Sequence, residues 1–258
     1  ELSLKKRFHG IDISFRKGEC WHVLGQNGAG KSSLFDVLSG LTEPDSGDVS
    51  YHGQILKNIS ISERATHRAY LQQSYSLAFS LSVVELLCFY LDQAKPLQQS
   101  EISSHTDAKF VLPEQLDKAL HVNILLDRPL NELSGGEQQR VHIARVLLQV
   151  WPAIEQGEAI LLMDKPLQNL DIAFQESTLS LFASLVGMGN LLIMSVHDVN
   201  LALRFADQVL LLKQGECRAS GESQAILTAS TITELYEYPF DLIQLNNNLE
   251  KTFIRNPN

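Results

Sequence analysis

The sequence has few cysteines, no basic excess and no long apolar run. Its three cysteines, Cys20, Cys88 and Cys217, are widely spaced, which fits buried thiols in a reducing compartment better than a disulfide framework or a metal site. The 21 Lys and Arg residues against 30 Asp and Glu give a net charge of −9. That balance argues against a duplex-DNA-binding protein, because neutralising phosphates requires a clustered excess of Lys and Arg. No apolar stretch is long enough to span a bilayer of about 30 Å, and the opening letters ELSLKKRF contain no apolar leader.

The apolar sequence that is present predicts a large α/β domain. With 258 residues and 44% hydrophobic content, the chain can bury a substantial core. The chain begins with Glu1, so we expect native residues before it. Apolar patterning predicts strands at 11–15, 20–25, 67–73, 159–163 and 190–197, and a hairpin over 208–221 that turns at Gln214 and Gly215. It predicts helices at 82–91, 113–126 and 141–150. Polar composition predicts a surface connection at 92–109 and a loop at 151–158.

The segment GQNGAGKS, residues 25–32, follows a predicted strand and precedes a predicted helix. Glycines in such a loop let backbone N–H groups point inward around phosphate oxygens, and the helix N-terminus adds its dipole. Lys31 then reaches the β- and γ-phosphates, and the Ser32 hydroxyl ligates Mg²⁺. An ordinary glycine-rich turn is the alternative, but it would not need a strand before it and a helix after it. The sequence therefore predicts a nucleoside triphosphate site.

Asp164 ends the apolar run AILLM. A carboxylate at the end of a parallel strand near a phosphate loop can hold the water shell of Mg²⁺. Many buried strands also end in an Asp that caps the next helix, and this second interpretation stays open from the residues alone.

The segment LSGGEQQR, residues 133–140, is a second candidate anion-binding turn at a helix start. The chain contains only one phosphate loop, so this second turn is expected to serve a nucleotide held by another molecule.

Six motifs together resemble the ATP-binding subunits of ABC transporters, and they cover nearly the whole chain in that family's order. They are the phosphate loop, Gln73 after a strand, the LSGGE signature, the strand ending in Asp164, LQNLD at 167–171 and SVHD with His197. The resemblance implies an α/β P-loop NTPase core with a mixed sheet, a small antiparallel β lobe and an inserted α-helical subdomain. Residues 1–258 would form a single ABC ATPase domain, with about 80–150 as the inserted helical lobe that carries the signature.

The resemblance also implies which residues bind ATP and Mg²⁺. Nucleotide-binding residues would be Gly25, Asn27, Gly28, Ala29, Gly30, Lys31, Ser32, Ser33, Ser134, Gly135, Gly136 and Asp171. Metal ligands would be Ser32, Gln73 and Asp164, and the catalytic group would comprise Gln73, His197 and the residue at the general-base position, which is Lys165.

The partners follow from the same resemblance. Two copies would sandwich two ATP molecules and drive transmembrane permease subunits, and through them a substrate-binding protein, at the cytoplasmic face of the inner membrane, with no nucleic acid involved. The stretches HRAYLQQ, LLQVWPAIEQGEAILLMD and HDVNLALRFADQVLLLKQGECRASGE are similar to importers for cobalamin, haem and iron chelates. We expect a cobalamin importer subunit, with haem and iron-siderophore importers as alternatives. The lobe after Gln73, which contains SYSLAFS and Phe79, is the expected docking region for the permease.

Lys165 departs from the family pattern, which has Glu at this position as general base. A lysine held charged by Asp164 and the phosphates has no lone pair to accept a proton. It would then stabilise bound ATP without accelerating hydrolysis, unless it points to solvent and His197 positions the water. A deliberate substitution or an unusual natural variant is a third interpretation. Smaller departures are Ser33 and Asn169, which keep hydrogen-bonding side chains.

Three functions compete at this point. The first is an energy-coupling ATPase subunit, and the second is a catalytically silent ATP-dependent clamp with the same fold and dimer. The third class, family members in translation or DNA repair, needs tandem cassettes or a long coiled-coil insertion, which this sequence lacks. No aromatic residue obviously stacks on adenine. Phe8 is the candidate, although an ordinary core phenylalanine is the simpler interpretation.

Overall fold

A computed structural model describes residues 2–4, 8–73, 81–91, 112–244 and 251–256. The strands are β1 (Leu2–Leu4), β2 (Phe8–Ile11), β3 (Cys20–Leu24), β4 (Ser50–Tyr51), β5 (Gln54–Ile55), β6 (Arg68–Leu71), β7 (Ile160–Met163), β8 (Leu191–Ser195), β9 (Gln208–Lys213), β10 (Glu216–Glu222), β11 (Phe240–Gln244) and β12 (Lys251–Arg255). The helices are α1 (Lys31–Ser39), α2 (Ile61–His67), α3 (Val83–Leu91), α4 (Glu114–Leu120), α5 (Gly135–Gln149), α6 (Trp151–Glu155), α7 (Ile172–Gly187), α8 (Val199–Phe205), α9 (Ser223–Ile226) and α10 (Ala229–Tyr236).

A mixed sheet of eight strands forms the centre, in the order β1-β2-β10-β9-β3-β8-β7-β6. Strands β9, β3, β8, β7 and β6 are parallel, whereas β10 pairs antiparallel with β9 and β1 antiparallel with β2. Two small antiparallel sheets, β4-β5 and β11-β12, stand apart from it. This architecture confirms the predicted fold class.

The central strands are buried on both faces, which is why their sequences are continuously apolar. Side chains alternate along each strand, so β7 sends Leu161 and Met163 into one core and Ile160 and Leu162 into the other. Helix α1 covers the second face, while α3, α4, α5 and α7 supply most of the first core.

The parallel strands place four functional segments at one edge of the sheet. The carboxyl ends of β3, β6, β7 and β8 lead directly into the phosphate loop, Gln73, Asp164 and His197, respectively. Because β7 and β8 pair with Met163 opposite Met194, Asp164 and Ser195 emerge side by side. Sheet topology therefore brings together residues that are far apart in sequence.

The predicted strand at 11–15 is wrong beyond Ile11. Residues 12–15 keep the expected alternation, with Asp12 and Ser14 exposed and Ile13 and Phe15 half-buried, but they form no ladder. Within the described ranges no strand pairs with this stretch, and pairing is what turns an alternating pattern into a strand.

The predicted polar loop at 151–158 is partly wrong, because its first five residues form α6. Pro152 lies in the first turn of that helix, where a missing N–H costs nothing. The hairpin turn is confirmed, with Gln214 and Gly215 both at positive φ, as a tight two-residue turn requires. The predicted connection at 92–109 lies outside the described residues, as does the stretch 74–80 with Phe79.

Candidate functional site

The loop between β3 and α1 has the backbone of a phosphate loop. Gly30, at the start of α1, has φ 101°, a left-handed value that glycine adopts without strain. Gly25 is required by close packing, because a Cβ there would lie 2.2 Å from the backbone oxygen of Leu212. The glycine spacing therefore follows from the shape of this loop.

The loop borders an open cavity of about 460 Å³. The cavity also reaches the ends of β6 and β7. Its lining residues are Asn27, Gly28, Ala29, Gly30, Lys31, Ser32, Ser33, Gln73 and Lys165, all of which the sequence singled out. A larger cavity, of about 530 Å³, lies between the 12–17 stretch, α1 and β4, away from these residues. We place the chemistry at the smaller one because its lining carries the cations and the turned backbone that phosphate requires.

Lys31 is a buried cation at the floor of the site. Its ammonium donates hydrogen bonds to the backbone oxygens of Gly25 at 2.6 Å and Gln26 at 3.0 Å. Burial, and after it the charge of Lys165, lower the pKa of Lys31 to about 8, although the carboxylate of Asp164 acts in the opposite direction. Two lysines that repel each other across one cavity form an environment that an anion stabilises.

Asp164 is almost fully buried, at 1% exposure. Its Oδ1 accepts a 2.5 Å hydrogen bond from Ser195, and its Oδ2 is buried with no hydrogen-bond partner among the residues that the structure describes. The helix-cap interpretation is wrong, because the next helix, α7, is capped by Asp171, whose side chain accepts from the N–H of Phe174. An unpaired buried carboxylate oxygen costs about 1–3 kcal/mol, which favours a role toward a bound group.

Lys165 lines the wall of the cavity rather than standing in bulk solvent. Its backbone takes φ 52°, an uncommon left-handed value for a lysine, and its N–H donates to the Ser195 hydroxyl at 2.8 Å. The side chain is half-buried. The backbone therefore holds residue 165 at a position from which its side chain lines the same cavity as the phosphate loop.

His197 and Gln73 stand at the exposed side of the site. Partial desolvation lowers the pKa of His197, and the charges of Lys31 and Lys165 lower it further, while Asp164 raises it. The imidazole is consequently neutral at physiological pH and keeps a free lone pair. Gln73 lines the cavity, whereas His197 belongs to the same charge cluster without lining it.

The signature segment forms the N-terminus of α5 through a capping box. The Ser134 hydroxyl accepts from the N–H of Glu137, and the Glu137 carboxylate accepts from the Ser134 N–H at 2.8 Å. These bonds lower the pKa of Glu137 to about 2, with help from Arg128. Ser134 and Gly135 are exposed, and neither they, Gly136 nor Asp171 lines the phosphate-loop cavity.

Two residues in this region belong to motifs identified in the sequence, but their roles were not predicted. Ser195 donates to Asp164 and accepts from the N–H of Lys165, whereas the sequence showed only that it begins the SVHD motif at the end of an apolar strand. Gln139 donates to the backbone oxygen of Pro166 at 2.8 Å, and nothing in the sequence links these two residues. The side chain of Phe8 lies outside the described side chains, so its contact with adenine stays a prediction.

No helix among the described residues is long and apolar enough to cross a membrane. In the same part of the chain, no three His, Cys, Asp or Glu side chains are arranged to hold a metal ion by themselves.

A family profile described as ABC transporter matches residues 8–168. The vitamin B12 import ATP-binding protein BtuD of Vibrio cholerae serotype O1 is 36% identical over 235 residues, covering 91% of this chain and 90% of that protein. The hemin import ATP-binding protein HmuV of Pseudomonas putida is 39% identical over 228 residues, covering 88% of this chain and 86% of that protein.

Solved structures agree with this fold. A structure described as an inward-facing conformation of a metal-chelate type ABC transporter has a TM-score of 0.73 at 25% identity, covering 98% of this chain and 94% of its own. A dimeric bacterial ABC transporter cassette has a TM-score of 0.67 at 22% identity, covering 84% and 90%, respectively.

Proposed function

Because the chain belongs to the ABC transporter family, among its ATP-binding ATPase subunits, we propose that it is the energy-coupling subunit of an importer for cobalamin. The observation that carries the proposal is the cavity in which the phosphate loop, Lys31, Gln73 and Lys165 meet, with the capped signature turn standing exposed elsewhere. One chain thus presents one phosphate site and, separately, one turn suited to close a phosphate site on another chain.

ATP would place its β- and γ-phosphates in the cavity over the N-terminus of α1. Backbone N–H groups of residues 27–32 and the Lys31 ammonium would hold the phosphate oxygens. The donor set offered to Mg²⁺ is all oxygen, from Ser32, Gln73 and Asp164, which suits a hard cation. The unpaired buried Oδ2 of Asp164 fits a water of that cation's shell, and the ion would neutralise charge on the phosphates.

Two copies would close around two ATP molecules, each offering Ser134, Gly135 and Gly136 to the other's nucleotide. The exposure of Ser134 and Gly135 and their distance from their own cavity support this arrangement, and a similar cassette is described as dimeric. Asp171, exposed at the start of α7, would lie at the same interface. Closure would drive transmembrane permease subunits, and indirectly a substrate-binding protein, from the cytoplasmic face of the membrane.

Cobalamin is the first choice of substrate because import proteins for vitamin B12 match over nine-tenths of the chain. Haem is the second candidate, since a haem import protein matches at 39% identity, compared with 36% for the vitamin B12 import protein. Iron chelates belong to the same chemical class of large metal complexes. Substrate contacts lie in the permease and binding protein, so the choice is made by the partners of this chain.

Hydrolysis is expected to be slow because residue 165 is a lysine. An ammonium has no lone pair with which to accept a proton from water. From the cavity wall it would pair with the γ-phosphate and stabilise bound ATP, which lowers the ground state as much as the transition state. His197, neutral and close to the same charges, is the remaining group that can position water. If neither residue promotes turnover, the chain is an ATP-dependent clamp.

Two measurements test the proposal. Calorimetry should show Mg-ATP binding that is lost in Lys31→Ala and retained in Lys17→Ala. Lys17 is the control because its ammonium pairs with Glu158 at the surface. Purification from the native membrane should recover a many-spanning permease, and proteoliposomes of that complex should take up cobalamin in preference to haem. Absence of ATP binding would refute the family role, and preferential haem uptake would replace cobalamin with haem.

A further inference from the structure

The 165–170 loop, which joins β7 to α7, contacts both the phosphate-loop cavity and the signature helix of the same chain. At one end, Lys165 lines the cavity and its N–H is held by Ser195. At the other, a Cβ on Gly136 would lie 2.8 Å from the backbone oxygen of Asn169, so the first turn of α5 rests directly on this loop. The loop is therefore in contact with two elements that face two different nucleotides in the proposed dimer.

Gln139 forms hydrogen bonds that link α5 to the 165–170 loop. Its side-chain amide, half-buried on α5, donates to the backbone oxygen of Pro166 at 2.8 Å and to that of Lys165 at 3.5 Å. The bonded carbonyl groups belong to the same short stretch whose side chain lines the cavity. Movement of residue 165 when phosphate enters would be passed to the start of α5 through this amide.

We propose that Gln139 is a positioning residue that couples the chain's own ATP site to the signature turn it offers to the second chain. This inference rests on the proposed function. Gln139 lies outside the lining of the phosphate-loop cavity, so its loss should leave ATP binding by a single chain intact. What it should change is the response of the signature turn, and hence dimer closure and the cooperativity of ATP binding.

The backbone conformation of the loop depends on contacts with its surroundings. Lys165 and Asn169 both have left-handed backbone angles, φ 52° and 64°, which are sparsely populated for residues other than glycine. Surrounding contacts must hold such a conformation, and Gln139 supplies one at each of the first two carbonyls. Without these bonds, a shift at residue 165 would not be transmitted to α5 through the Gln139 amide.

The experiment compares Gln139→Ala and Gln139→Leu with Gln149→Ala. Gln149 is a matched control, since it is half-buried on the same helix and its amide donates to the backbone oxygen of Ala65 at 2.9 Å, away from the loop. Leucine keeps the volume of Gln139 and removes only the donor. ATP affinity is measured by calorimetry on dilute monomer, and dimer formation and the Hill coefficient are measured at high protein concentration with Mg-ATP.

As monomers, both Gln139 variants should bind ATP within about twofold of the parent. They should weaken the ATP-induced dimer by about tenfold and lower the Hill coefficient toward 1. Gln149→Ala should change neither the dimer nor the Hill coefficient. Unchanged dimerisation in both Gln139 variants would overturn the inference, as would an equal loss of monomer ATP binding. A parent that fails to bind ATP would instead overturn the proposed function, and one that binds ATP without dimerising would overturn the two-chain arrangement together with this inference.

Discussion

The hydroxyl of Ser195 donates a 2.5 Å hydrogen bond to Oδ1 of Asp164, across the pairing of β8 with β7. The hydroxyl oxygen of Ser195 in turn accepts a hydrogen bond from the N–H of Lys165 at 2.8 Å. One serine therefore orients the candidate magnesium carboxylate and fixes the backbone of the residue that follows it. Because Oδ1 is occupied, Oδ2 is the oxygen left to face a bound cation's water.

We expect Ser195→Ala to destabilise the chain by about 1–3 kcal/mol, because it leaves a buried carboxylate oxygen and a backbone N–H without a partner. The free energy of unfolding is measured by urea denaturation. Ser180→Ala is the control, since within the described ranges the Ser180 hydroxyl donates only to the Glu176 carbonyl, on the exposed face of α7. It should change the free energy of unfolding by less than about 0.5 kcal/mol. Equal stability of the two variants would show that the Ser195 bonds carry no net free energy.

ATP affinity should fall as the pH rises through about 8, because burial and the charge of Lys165 lower the pKa of Lys31 to about 8. Below that pH the Lys31 ammonium is present and attracts phosphate, and above it the proton is lost. Between pH 7 and pH 9 the dissociation constant for Mg-ATP should increase about tenfold, as measured by calorimetry.

Lys31→Arg separates this titration from general effects of pH. A guanidinium stays charged over the whole range, so the variant should bind more weakly at neutral pH and lose the pH dependence. A parent with flat affinity from pH 7 to pH 9, or an identical slope in the arginine variant, would contradict the role of Lys31 as the titrating group.

Gly135→Glu should block ATP-induced dimerisation while leaving monomer ATP affinity within about twofold. A side chain fits here in the single chain, because a Cβ on Gly135 has only ordinary contacts of 3.6 Å or more with Asn169. In the dimer the added carboxylate would face the second chain's γ-phosphate, and like charges repel. Sedimentation with saturating Mg-ATP measures the outcome, with Gly187→Glu, at an open position ending α7, as the control. If Gly135→Glu and Gly187→Glu formed equally stable dimers, the signature turn would not face the nucleotide of the second chain.

The parts of the candidate site that depend on a local sequence pattern could be predicted from the sequence. The phosphate loop depends on glycines at fixed spacing between a strand and a helix, so residues 25–32 were predictable from eight letters and their context. Asp164 was identified in the same way, by a continuous apolar run that ends in a carboxylate.

What the sequence could not predict depends on pairing between distant segments. Ser195 meets Asp164 only through the register of β8 against β7, and Gln139 meets Pro166 only through the packing of α5 on the 165–170 loop. The failed strand at 11–15 has the same cause, since an alternating pattern states which side chains face inward but not whether a partner strand is available.

The most direct measurement is steady-state phosphate release from Mg-ATP by the parent, Lys165→Glu and Lys165→Ala. We expect slow release by the parent and no rise in Lys165→Ala. Lys165→Glu should raise the rate at least about 100-fold, because a positioned carboxylate accepts the proton from water. The alanine variant should also bind ATP less tightly, since it removes the charge beside the γ-phosphate. Robust hydrolysis by the parent, unchanged in Lys165→Glu and lost in His197→Ala, would contradict the account and assign the step to the histidine.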